Sequence, residues 1–203
     1  GNMFDDVIRQ REELAEQIAA KVLDPEVMKS IFLQADEWEI DAFDHASTRK
    51  CFLATHKDWK ELEWFSNKGY IVAYSDNHAE VPQEVIAVYN QINTPELQEK
   101  CRKLSWMRSC ESMMGLIYAI APLKIVYRMY RKRDGFRVSY EEFMDILNEL
   151  AENDAIGTVY TTKNSPTLND YMCTTTLNNV LEDGMDVDEA LQDAQDYLDF
   201  ECE

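Results

Sequence analysis

Glycine and proline are scarce in this chain, six and five among 203 residues. That excludes a collagenous or low-complexity chain and points to a mostly helical one. Positive charge is also short. There are 20 Lys and Arg against 39 Asp and Glu, for a formal net charge of −19, and a field of that sign works against general affinity for nucleic acid or anionic membranes. Long apolar runs are missing too. The longest, residues 113–123, is about half of the roughly 20 residues that a spanning helix needs, and Pro122 interrupts it. The five cysteines are odd in number, irregularly spaced and without a CxxC pair, which excludes a disulfide framework or a zinc ribbon and suggests a reduced, cytoplasmic chain. No secretory leader is visible. Gly1 reads as a remnant of tag removal, and Met3 as either a natural start or an internal residue of a longer protein. GxGxxG, P-loop, GxSxG and HExxH patterns are all absent, so the common enzyme signatures are missing and no cofactor is implied.

What is present is a core. Apolar residues make up 45% and aromatics 11% of the chain, too much for a disordered acidic tail. A first helix is expected over residues 4–23, closed by Asp24 and reopened by Pro25 into a short helix through Phe32. Asp36 with Glu39, and Thr55 with Asp58, have the spacing of capping boxes for helices carrying Trp38 and Phe43, and Trp59, Leu62, Trp64 and Phe65. The second of these should stop at Gly69. A hairpin follows, with strand 70–74, turn 75–78 and returning strand 80–81, and Pro82 opens a helix over 83–91. Thr94-Pro95 begins a long helix expected to reach about Ala121, and Pro122 begins another to Arg133. Ser139 with Glu142 caps a further helix carrying Phe143, Ile146, Leu147 and Leu150, followed by strands over 156–161 and 171–175. A short helix at 177–181 and an acidic helix over 186–200 complete the expectation.

Helices followed by a hairpin, twice over, form the grammar of a winged helix. Residues 67–74 can be laid over 153–160 with few identities, which suggests an internal repeat. The expected architecture is therefore mainly α (α+β), a helical bundle with two winged-helix-like helix-hairpin units, divided into residues 1–93 and 94–203. The segments LDPEVMKSIFLQADEWEIDAF, GYIVAYSDNHAEVPQEV, INTPELQEKCRKLSW and LIYAIAPLKIVYRMYRKRDGFRVSYEEF resemble uncharacterised proteins of clostridial Firmicutes. Those are often long chains with an N-terminal helical region similar to the module that opens Rho termination factors. The resemblance covers residues 20 to 150 and implies no activity and no functional residues.

The charge is unevenly spread. Residues 100–137 hold ten basic side chains and two acidic ones, +8, while the remaining 165 hold ten basic and 37 acidic, −27. Lys124, Arg128 and Arg131 fall at i, i+4 and i+7 on one helical face, and Lys132, Arg133 and Arg137 follow closely. These six are the candidate site for an anionic surface, with Tyr127, Tyr130 and Phe136 near enough in sequence to stack or anchor. The plainer alternative is internal neutralisation by the acidic helices. Helix 139–153 stands where a winged helix would read the major groove, yet it carries Glu141, Glu142, Asp145, Glu149 and Glu152 and no base, so groove recognition is disfavoured.

Glu37, Asp41 and His45 sit at i, i+4 and i+8 beside Asp44, a spacing that metal ligands could use. A solvated acidic face explains them more simply, and no metal is expected. Cys101 and Cys110 lie on opposite sides of a continuous helix, and 182–189 lacks the order of an EF-hand loop. The methionine-rich stretch 106–123 reads as core. The expected function is a non-enzymatic intracellular interaction or regulatory module with a protein partner. The alternative is a nucleic-acid-associated protein that grips the phosphate backbone through residues 100–137, and no membrane partner is expected.

Overall fold

The computed structural model describes residues 3–117, 120–153, 159–161, 170–173 and 186, and the expected helices at 177–181 and 186–200 lie outside these apart from Asp186. The described chain is mainly helical with two small antiparallel sheets. It divides into two compact units, Gly1–Arg102 and Lys103–Glu203.

The first unit begins with α1 (Met3–Val22) and α2 (Pro25–Gln34). Asp24 caps α2, its carboxylate accepting from the Glu26 and Val27 amides at 2.8 and 3.3 Å, with Pro25 at the first helical position. In α3 (Glu37–Ser47) and α4 (His56–Asn67) the Asp36/Glu39 and Thr55/Asp58 boxes are both closed reciprocally. The caps fix where each helix starts, and the apolar stripe of each then meets the others. Phe32, Phe43, Phe65 and Tyr89 stack and cross with ring centroids 4.6 to 5.3 Å apart. Such pairs are worth about 0.5–1.5 kcal/mol each beyond the area they bury. Trp64 Nε1 ties α4 to α2 by donating to the Ile31 carbonyl at 3.3 Å.

Gly69, at φ +83°, takes the left-handed conformation that ends α4, and the chain turns into β2 (Val72–Ala73) and β3 (His78–Glu80). Asn77, at φ 64°, closes the turn. His78, expected in the turn, instead begins β3, where its carbonyl accepts from the Tyr74 amide at 2.8 Å. A strand that the sequence did not announce, β1 (Phe52–Leu53), pairs with β3, giving the order β1-β3-β2. The helix α5 (Gln83–Ile92) follows Pro82, and α6 (Pro95–Ile117) opens with Thr94 Oγ1 accepting from the Leu97 amide. The boundary between the two units falls inside α6.

In the second unit the expected continuation of α6 to Ala121 is corrected. The helix is assigned to Ile117, and Ile120–Pro122 forms β4. Residues this apolar read equally well as buried helix or buried strand, and pairing with a strand some 50 residues later decides. After β4 come α7 (Leu123–Tyr130), with Pro122 at its cap, and α8 (Tyr140–Asn153). Ser139 Oγ accepts from the Glu142 amide at 3.1 Å, and Lys103 holds the Glu142 carboxylate at 2.6 Å. The strands β5 (Val159–Thr161) and β6 (Asp170–Cys173) complete a sheet of order β4-β6-β5. In both sheets the first strand pairs with the last, which in turn pairs with the middle one. Tyr130, Phe136, Phe143 and Leu147 are fully or almost fully buried in this unit, together with Met107 and Cys110 of α6.

Candidate functional site

The helix α7 is strongly two-faced, and that division makes the site. Leu123, Val126 and Tyr130 turn inward and are buried, which leaves Lys124 and Arg128 on the opposite side in water. Arg128 in the last turn and Arg131 at the C-cap stand at the negative end of the helix dipole, where cations are favoured. Tyr127 is held by its hydroxyl, which donates to the Val138 carbonyl at 3.0 Å, and the Arg131 guanidinium lies 5.3 Å from the centre of its ring. The next turn, at Gly135 with φ +84°, brings Lys132 and Arg137 out as well.

The structure divides the basic segment in two. Lys103 pairs with Glu142 at 2.6 Å, and Arg102 with Glu37 and Glu99 at 3.5 and 3.2 Å, so these charges are answered within the chain. Arg133 is half-buried, with its guanidinium 4.7 Å from the Phe136 ring centre and 5.3 Å from that of Trp106. It belongs to the packing of the unit. Lys124, Arg128, Arg131, Lys132 and Arg137 are exposed, and none has an ion pair among the described residues. Asp134 is exposed in the same turn and has no ion pair among the described residues.

On α8, Glu141 and Asp145 are exposed. Exposed acidic side chains on α8 thus follow, in sequence, exposed basic ones on α7.

In the first unit, Glu37, Asp41 and Asp44 do come near one another, but without His45. They line a cavity of about 250 Å³ whose floor includes Phe32, Tyr89 and Cys101. Tyr89 donates its hydroxyl to Asp44 at 3.0 Å, and its pKa is raised by burial and by that bond. Glu37 is engaged by Arg102. Among the described residues no group of three His, Cys, Asp or Glu side chains is placed to hold a metal ion. Spacing along α3 alone could not show this cavity, because Tyr89 reaches Asp44 from 45 residues away. No described helix is long and apolar enough to cross a membrane. No protein-family model, no curated protein and no solved structure matches the chain.

Proposed function

We propose that the chain is a non-enzymatic intracellular interaction module, and that its second unit docks an acidic protein surface on the outer face of α7 and the turn after it. The observation that carries this reading is the set of exposed cations, Lys124, Arg128, Arg131, Lys132 and Arg137, left without an ion pair among the described residues of a chain with net charge −19. Other basic side chains, such as Arg102 and Lys103, find their partners within the chain. Five cations left over on one short stretch favour an external anion. Order of elements supports a winged-helix-like reading: helix α6, strand β4, helices α7 and α8, then the pair β5 and β6, with β4 beside β6. On that reading α8 occupies the position of a recognition helix, and its Glu141 and Asp145 would meet phosphates with repulsion.

A second reading rests on the same face. Lys124, Arg128 and Arg131 follow one edge of α7 beside the Tyr127 ring, an arrangement suited to a phosphate backbone. The two are separated by titrating salt against a polyglutamate peptide, a mixed-sequence DNA duplex and single-stranded RNA, with the native chain and with Arg128→Glu plus Arg131→Glu. Binding of polyglutamate at low salt, lost in the double variant, supports a protein partner. Binding of nucleic acid alone supports the second reading. Failure to bind any polyanion, or binding that survives the double variant, removes α7 as the site.

A further inference from the structure

The exposed cations of α7 and its turn have no ion pair among the described residues, although the same unit exposes carboxylates at Asp134, Glu141 and Asp145. The sequence holds a further supply of acid. After Lys163 no basic residue occurs, and residues 182–203 carry ten Asp and Glu with no Lys, Arg or His. Apart from Asp186 these lie outside the described residues, but the described strands fix where the chain sets out toward them. In the β4–β6 pair, Tyr171 stands opposite Pro122 and Cys173 opposite Ile120, so the chain leaves the sheet at Cys173, beside the strand that leads directly into α7. Glu182 is nine positions further on. Nine residues of chain span at most about 30 Å, whereas the eight residues of α7 run about 12 Å. The acid begins within reach of the basic face.

We propose that residues 182–203 occupy the basic face of α7 in the free chain and are displaced from it by the acidic partner, so that the chain regulates its own docking site. The displacement rests on the docking reading above; the contact within the chain does not. Charge complementarity names the occupant. Ten carboxylates without a counter-charge of their own face five cations in the same position, and the tether holds the two sets together. At physiological salt, charges are screened beyond about 8 Å, so an untethered acidic peptide at micromolar concentration competes against a tethered one at an effective concentration in the millimolar range. A weakly acidic surface is thereby refused. Only a partner that offers more carboxylates, or a better-fitted set, than the chain itself takes the face.

Two measurements on the full chain test this. Carbodiimide coupling joins a carboxylate to a lysine amine where the two touch, and at low salt and submicromolar protein it should link Lys124 or Lys132 to a carboxylate within 182–203 in the monomer, a link lost in 0.5 M salt. Polyglutamate binding is then compared between the native chain, a chain with Asp188→Asn, Glu189→Gln, Asp193→Asn and Asp196→Asn, and a control of equal net charge with Glu12→Gln, Glu16→Gln, Glu141→Gln and Asp145→Asn. The first variant should bind about tenfold tighter than native, and the control should stay within about threefold. Equal tightening in both variants would reduce the effect to net charge and overturn the proposal, as would the absence of the link at either lysine. Polyglutamate bound alike by all three chains, with no link, overturns the contact and leaves the docking reading standing. A link without polyglutamate binding by any chain upholds the contact and removes the external partner.

Discussion

Two tyrosines buried in the same unit should respond oppositely to one isosteric change. Tyr70 is fully buried, and its hydroxyl has no hydrogen-bond partner among the described residues. Burial, followed by the charge of Asp24, pushes its pKa up to about 12. Tyr89 is buried to a similar degree, 3% exposed, but its hydroxyl donates to Asp44 at 3.0 Å. An unpaired buried hydroxyl costs about 1–3 kcal/mol, whereas a bond to a charged acceptor contributes about 1.5–3 kcal/mol, less when the acceptor is exposed, as Asp44 is. Tyr70→Phe should therefore stabilise the first unit by about 1 kcal/mol, and Tyr89→Phe should destabilise it by about 1 kcal/mol. For a unit of this size each change moves the midpoint by roughly 4–8 °C, upward for the first and downward for the second. Tryptophan fluorescence during thermal or urea unfolding is a suitable reporter, since Trp38, Trp59 and Trp64 all belong to the first unit and Trp106 alone to the second. A loss of 1 kcal/mol or more on Tyr70→Phe would show that the hydroxyl is satisfied in solution and refute the argument. Equal effects at both positions would do the same.

Glu111 offers a pH test. Desolvation raises its folded-state pKa above the ordinary 4.5, so the stability it contributes is complete below that value and is lost as pH rises through the folded one. Glu111→Gln should raise the unfolding midpoint at neutral pH and leave it unchanged in acid; a lower midpoint at neutral pH contradicts the sign. Gly69→Ala meets only ordinary contact at Val22, so its cost is the strain of φ +83°, roughly 1–2 kcal/mol in urea unfolding, and a neutral result would mean that the turn relaxes. Arg128→Glu with Arg131→Glu should leave the unfolding midpoint within about 0.5 kcal/mol of native, as exposed substitutions do, while polyanion binding at low salt falls. Unfolding of that variant under native conditions would make the two arginines structural.

How much of this was legible in the sequence follows from the range of each interaction. The caps at Asp24, Asp36 and Thr55 span two or three residues, and reading them placed α2, α3 and α4. At Ser139 the cap bond is local, while the Glu142 carboxylate also meets Lys103 from 39 residues away, a contact no local reading shows. The strand β1 has two residues, too few for any alternation, and exists because β3 offers it an edge. Strand β4 was hidden in an apolar run that pairs with β6. For the basic segment, counting charges found the stretch but could not sort it. Which cations are answered and which are left over depends on partners such as Glu37 and Glu142, distant in sequence from Arg102 and Lys103.

Cys101 and Cys110 are both buried on α6, nine residues apart, and the division between the units passes between them. Burial also pushes the Cys110 thiol up to about 12, despite the opposing charge of Arg133, so in the folded chain it is almost wholly protonated and slow to react. Each thiol becomes available only when its own unit opens. The helix therefore carries a pair of native clocks: the alkylation rates at positions 101 and 110, followed separately by mass spectrometry in undenatured protein, time the opening of the first and second unit in a single experiment, with no added label.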